Sequence, residues 1–282
     1  MVAKVAIITG ANGGIGRELT KTLVLAGYEV VMACRDLQKA LPIWEKLVHE
    51  TKKEIQLLPL DLASLESILS FVTIIKKRYS SIELLINNAG VIPTHSKSTD
   101  YNTEYCIGVN YVGPYMLTHL LIPHMNIGAR IVNVVSMVYK YGKINESIFE
   151  PKLEKNYHKF KVYAQSKLAL LYFTLDMADF CTSKGITINC CEPGIVNTPI
   201  LKMGNKIVDF LARLLFTPFV RSPKKGASTI LYLALNENIT HSGNLYSDEK
   251  IAPIPHKIVQ SSDRLLLRKI TQNLVSRLPV EL

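Results

Sequence analysis

The sequence predicts an α/β fold: one doubly wound, mostly parallel sheet with helices on both faces. Three observations carry that reading. Short apolar runs rich in β-branched residues recur at Lys4–Thr9, Glu29–Ala33, Ile55–Pro59, Ile82–Asn87, Ala129–Val135 and Ile186–Cys191. Near-continuous hydrophobicity over so few residues is typical of strands covered on both faces. Between them lie segments of helical spacing, Ile15–Ala26 closed by Gly27, Leu65–Arg78, Tyr101–Met125 and Val162–Ser183, so strand and helix alternate. No internal repeat and no linker rich in Pro, Gly or Ser divides the chain, and a single domain over residues 1–282 is expected.

Composition narrows the function classes. With 48% hydrophobic and 20% charged residues, and 15 glycines without a fixed period, the chain is neither disordered nor collagen-like. Its longest apolar candidates, Ile207–Val220 and Leu168–Ala178, fall short of the roughly 18 uncharged residues of a spanning helix. Met1–Ile8 runs directly into the first strand pattern, so a cytoplasmic protein is expected. Five cysteines, an odd number with adjacent Cys190-Cys191 and no C-x-x-C, suit neither a disulfide framework nor a metal site. The net charge of 33 − 23 = +10 is scattered in groups such as Lys52-Lys53, Lys76-Lys77-Arg78 and Lys224-Lys225. Without interleaved aromatics these read as solvated helix faces, and no nucleic-acid partner is expected.

Taken in order, the first strand ends in Thr9-Gly10-Ala11-Asn12-Gly13-Gly14-Ile15-Gly16, and a helical pattern opens at Ile15. Glycines at 10, 14 and 16 remove side chains that would hold a pyrophosphate off the backbone. The helix amino terminus supplies unpaired N–H groups and a positive dipole end. The spacing, G-x-x-x-G-x-G, differs from the commoner dinucleotide fingerprint, so its place after strand one carries the reading. The plain alternative is a turn that merely lets strand and helix pack. The second strand leads to Ala33-Cys34-Arg35-Asp36, where a carboxylate would read the ribose of NAD and an arginine the 2′-phosphate of NADP. Arg35 offers a planar fork of donors, while Asp36 suits the N-cap of the next helix. NADP is therefore favoured over NAD.

Further on, Tyr163-Ala164-Gln165-Ser166-Lys167 sets a phenol and an ammonium four residues apart on one helix face. A tyrosine that exchanges protons near neutral pH needs its anion stabilised, and an adjacent cation does that. Ser136 follows the strand Ala129–Val135 at the carboxyl edge, where ligands of open α/β sheets bind. Asn110 falls mid-helix, an unfavourable place for an amide without an assigned partner. Two stretches break the rhythm, Met137–Lys161 and Gly194–Pro223, and loops longer than about 15 residues are usually functional. A substrate lid over about 194–223 and a helical C-terminal tail over about 250–282 are expected.

In these features the sequence resembles the short-chain dehydrogenase/reductase family. It carries the T-G-x-x-x-G-x-G turn, Asp61-Leu62, Asn87-Asn88-Ala89-Gly90, Asn110, Ser136, Tyr163 with Lys167, and Pro193-Gly194 followed by Thr198, in family order over nearly the whole chain. Within the family it is most similar to the retinol dehydrogenase-like group, through Ala33–Asp36, Tyr163–Leu168 and Phe216-Thr217-Pro218-Phe219-Val220, and through the long interval from Ser136 to Tyr163. It departs at Glu192, where that group commonly has histidine before the proline.

The resemblance implies a Rossmann-type sheet and a Ser136–Tyr163–Lys167 centre completed by Asn110. Tyr163 would exchange the proton on the substrate oxygen, and Ser136 would orient that oxygen. Lys167 would lower the tyrosine pKa and hold the nicotinamide ribose, and Asn110 would keep a water in the relay through its helix position. The implied cofactor set is Thr9, Gly10, Asn12, Gly14, Ile15, Gly16, Arg35, Asp61, Leu62, Asn87, Ala89, Gly90, Lys167, Pro193, Gly194 and Thr198, with Asp61 on the adenine amino group and Asn87 lining the floor. A homodimer or homotetramer is also implied.

The leading expectation is an NADP-dependent oxidoreductase acting on a carbonyl or alcohol. Apolar residues at largely helical spacing from Ile200 to Phe216 point to an apolar substrate such as a retinoid, steroid or long-chain aldehyde, with peripheral membrane contact open. Two other readings stand beside it: a reductase of acyl groups on an acidic carrier protein, drawn by the basic surface, and a non-catalytic NADP-binding sensor or scaffold.

Overall fold

Each expected strand forms. The computed structural model describes residues 4–194, 196 and 221–280. β1 (Lys4–Thr9) leads to α1 (Gly14–Leu25), β2 (Tyr28–Cys34) to α2 (Leu37–Thr51), and β3 (Gln56–Pro59) to α3 (Leu65–Arg78). After β4 (Ile82–Asn87) comes a composite helix: α4 (Tyr105–Ile107), a π-helical turn Gly108–Val112, and α5 (Gly113–Leu121). There follow β5 (Met125–Val134), α6 (Lys159–Ser183), β6 (Thr187–Glu192), α7 (Pro223–Leu235), β7 (Leu245–Ser247), β8 (Lys250–Ile251), α8 (His256–Val259) and α9 (Ser262–Val275).

The strands make one eight-stranded sheet in the order β3-β2-β1-β4-β5-β6-β7-β8. Every neighbouring pair is parallel except β7 with β8. Side chains alternate across each strand, so two apolar layers form. Ile7, Leu85 and Ile131 pack with Phe71, Leu117 and Leu168 from α3, α5 and α6; Ile8, Met32 and Ile86 pack with Leu19, Leu47 and Ile230 from α1, α2 and α7. Helices thus cover both faces, as the unbroken apolar strands require.

Local chemistry sets the boundaries. Asp36, Ser64 and Ser222 cap α2, α3 and α7 by accepting from the backbone N–H of Lys39, Ser67 and Lys225. The helix expected over Tyr101–Met125 is shorter. Buried Glu104 caps it at Tyr105 by accepting from Ile107 N, 2.8 Å away, and Tyr101 instead turns its hydroxyl to Leu62 O at 2.7 Å. At the other end, Met125 already belongs to β5. The C-terminal tail starts with β8 and becomes helical at His256. There α9 docks on α6 through Arg264 and Arg268 with Asp176, and on the π-helical turn through the buried Thr271–Tyr111 hydroxyl pair at 2.7 Å. The stretch expected to form a lid lies outside the described residues apart from its ends, and Thr198 lies there too. Among the described residues no helix is long and apolar enough to cross a membrane.

Candidate active site

At the carboxyl edge of the sheet, β1 and β4 lie side by side although two strands, β2 and β3, separate them in sequence. There the chain switches faces and opens a crevice. Gly10, at φ +64°, turns out of β1, and its N–H donates to Ala33 O at 2.9 Å. A side chain on Gly16 would meet Gly10 O at 2.5 Å, and one on Gly10 would meet Ala89 Cα at 2.9 Å, so glycine is required at both. The N-cap of α1, Gly13, has no side chain to accept from the first turn. Those backbone donors face the kind of anion a pyrophosphate supplies, and the turn fits it.

The Thr9 hydroxyl secures the turn to β4. It accepts from Asn88 N and Ala89 N, each at 3.0 Å. Asn88 Nδ2 donates to Thr9 O at 2.9 Å and Gly10 O at 3.2 Å. Sequence reasoning missed Asn88 and singled out Asn87. The Asn87 amide is buried, donating to Asn133 Oδ1 at 2.8 Å and Thr118 Oγ1 at 3.1 Å, inside the layer between α5 and α6. Strand alternation was the available signal, since consecutive residues leaving β4 turn to opposite sides.

The residues expected to handle the proton meet at the ends of β4 and β5. Lys167, 3% exposed, donates from Nζ to Val134 O at 2.8 Å, and its ammonium lies 5.8 Å from the centre of the Tyr163 ring. A Cβ on Gly90 would lie 3.5 Å from that Nζ and 3.6 Å from Asn110 Oδ1, so the three residues converge. Ser136, just past β5, lies close enough to the Tyr163 phenol for its hydroxyl to favour the phenolate. Burial pushes the phenol up to about 12, with Cys106 adding to the rise and the Ser136 hydroxyl opposing it. Burial also brings Lys167 down to about 8. Here desolvation outweighs the lowering expected of Lys167, and at neutral pH Tyr163 holds its proton.

Asn110 has its assigned partners. In the π-helical turn its Oδ1 accepts from Val91 N at 2.8 Å, and its Nδ2 reaches Val91 O at 3.0 Å, Ser166 Oγ at 2.9 Å and Cys106 Sγ at 3.3 Å. It ties the Ala89–Val91 loop to the helix that bears Tyr163 and Lys167. Ser166 and Cys106 belong to this knot, and sequence reasoning named neither as functional.

The other end of the cleft is open. Arg35 is exposed after β2 and donates to the Tyr105 hydroxyl. Asp36 is taken up by the N-cap, accepting from Lys39 N at 3.1 Å and pairing with Lys39 Nζ at 2.7 Å. Asp61 Oδ1 accepts from Ala63 N at 2.9 Å. Its charge and that of Arg35 both act on Tyr105, which puts these groups at one place. Pro193 and Gly194 follow β6, with Gly194 at φ +76°.

Residues 4–150 and 152–207 match the family model described as short chain dehydrogenase. The chain belongs to the short-chain dehydrogenase/reductase family. Human (Homo sapiens) retinol dehydrogenase 12 is 35% identical over 251 residues, covering 88% of this chain and 78% of that protein. Retinol dehydrogenase 11 of Mus musculus is 35% identical over 271 residues, covering 95% and 84%. A solved structure of an uncharacterized protein from Mycobacterium Paratuberculosis aligns with a TM-score of 0.73 at 25% identity, over 98% of this chain and 94% of that one. Within the family the chain falls in the retinol dehydrogenase-like group. As a short-chain dehydrogenase/reductase it is an oxidoreductase of a family that binds a nicotinamide cofactor.

Proposed function

We propose that this short-chain dehydrogenase uses NADP to interconvert a carbonyl and an alcohol on an apolar substrate. One observation carries the chemistry: a protonated phenol, Tyr163, with the Ser136 hydroxyl beside it and the buried Lys167 ammonium 5.8 Å from its ring. A nicotinamide held in this cleft would supply or receive the hydride. Tyr163 gives its proton to the substrate oxygen in reduction and takes it back in oxidation, while Ser136 donates a hydrogen bond that orients that oxygen. Lys167 supplies the positive charge that stabilises the tyrosinate left behind.

The same reading assigns the cofactor's parts to the chain. The Gly10–Gly16 turn takes the pyrophosphate, Asp61 the adenine, Lys167 the ribose, and Pro193–Gly194 the nicotinamide. Preference for NADP rests on Arg35, whose guanidinium is held at the surface by Tyr105, and on Asp36, whose carboxylate is occupied by its own helix. An apolar substrate is supported by the retinol dehydrogenases among the relatives and by the apolar sequence after Pro193-Gly194.

The test is the rate of NADPH oxidation along a series of straight-chain aldehydes. The expected kcat/KM rises with chain length, by up to about 0.8 kcal/mol for each buried methylene. A flat series, or faster turnover of polar sugars, would contradict the apolar substrate and leave the family assignment standing.

A further inference from the structure

The β6 exit is held by an ion pair that the family motifs do not include. Arg221 grips Asp248 with both arms of its guanidinium, NH1 to Oδ1 at 2.5 Å and NH2 to Oδ2 at 2.9 Å. Its stem lies directly on Gly194: a Cβ there would be 2.7 Å from Arg221 Nε and 2.8 Å from Cδ. Arg221 is also bridged to Val196 through the backbone. Val196 in turn sits where a side chain on Gly226 would be, 2.6 Å from that position, with Ile15 at 3.4 Å. Immediately after Arg221, the Pro223 ring stands 3.3 Å from where a Cβ of Gly14 would lie. One short segment therefore touches both walls of the cleft, the glycine turn and the Pro193–Gly194 exit.

Asp248 is presented at some expense. Both it and Glu249 have positive φ, +49° and +65°, in the tight turn between β7 and β8, a conformation that two-residue hairpin turns require and that non-glycine residues rarely adopt. Glu249 N donates to the buried Thr229 hydroxyl of α7 at 3.2 Å, fixing that turn. With the two side chains 30% and 48% exposed, solvent screens the ion pair and it contributes little to folding. Global stability does not account for the arrangement, whereas the placement of Gly194 does.

We propose that Arg221 is a positioning residue: clamped by Asp248 and lying on Gly194, it sets how closely the β6 exit approaches the glycine turn and so tunes the grip on the cofactor. This rests on the reading above that Pro193–Gly194 lines the nicotinamide site.

The test uses the full chain and two conservative variants, Arg221→Lys, which keeps the charge and loses the fork, and Asp248→Asn, which keeps the shape and loses the charge. NADPH dissociation constants are read by fluorescence titration, and melting of the cofactor-free proteins and kcat at saturating NADPH are measured alongside. Each variant should raise the dissociation constant about three- to tenfold, keep kcat within about twofold, and shift the melting temperature by no more than a few degrees. Unchanged dissociation constants with a wild type that binds NADPH would overturn the positioning role alone. Weakened binding that merely follows a large fall in melting temperature would overturn it too, since the pair would then be structural. A wild type that binds neither NADPH nor NADH would overturn the cofactor reading and this inference together.

Discussion

At the catalytic end of the cleft, Lys167 and Asn110 are buried and bonded to Val134 O and to Val91, Ser166 and Cys106. At the end proposed to take the adenine, Arg35 stands exposed with the Tyr105 phenol as its partner among the described residues, and Asp36 is occupied by its helix cap. The buried end is over-determined, so changing one group there removes chemistry and disturbs its neighbours. The exposed end is under-determined, so a change there should move specificity and little else. Low local dielectric strengthens every interaction at the first end, and water screens those at the second.

The largest expected effect short of removing the phenol follows from Lys167→Met, which keeps the buried stem and deletes the charge. It should lower kcat by about a hundredfold or more, the usual worth of a positioned proton transfer, and also weaken the cofactor. If titration and kinetics showed neither change, the lysine would have no part in the site. Arg35→Ala should act through specificity alone. NADP affinity should fall at least tenfold, for a charge-assisted contact of about 1.5–3 kcal/mol, with NAD affinity nearly constant. Competitive titration of the two cofactors measures this, and a wild type that prefers NAD would shift the assignment to Asp36.

The smallest effect separates the two ends by pH. Burial raises the thiols of Cys34 to about 11 and of Cys181 and Cys190 to about 12, from an ordinary 9.0. The folded chain therefore keeps protons that the unfolded chain releases, and stability falls as pH rises above about 9. Lys167 works the other way. Its pKa drops from 10.5 to about 8, so between those values the unfolded chain holds the extra proton and stability rises with pH. Lys167→Met should consequently steepen the alkaline loss seen in denaturant unfolding under reducing conditions, and Arg35→Ala should leave the curve as it was. Parallel curves for wild type and Lys167→Met would mean that Lys167 is not desolvated.

Periodicity made most of the fold legible, because strands covered on both faces must be short and continuously apolar. β7 and β8, of three and two residues, are too brief to show a period; β7 forms on the edge that β6 offers, and β8 on the edge of β7. The π-helical turn at Gly108–Val112 also has no local signature; the network of Asn110 with Val91 and Ser166 accompanies it. Among the candidate site residues, Ser136, Tyr163 and Lys167 stood out in the sequence because the chemistry proposed for them is tied to residue type and spacing. Asn88 was hidden beside Asn87, as side-chain direction is a property of the strand and not of the residue. Tyr105 and Arg221 act through partners 70 and 27 residues away in sequence, and such pairs exist only once the sheet has brought them together.

The central claim is that the Tyr163 phenol, held by Ser136 and Lys167, moves the proton. It is tested most directly by Tyr163→Phe, since phenylalanine keeps the ring's packing and removes only the transferable proton. Turnover of a long-chain aldehyde with NADPH should fall by about a hundredfold or more, while the NADPH dissociation constant stays within about twofold of wild type. Retention of more than about a tenth of the rate would show that another group is the acid and contradict the account.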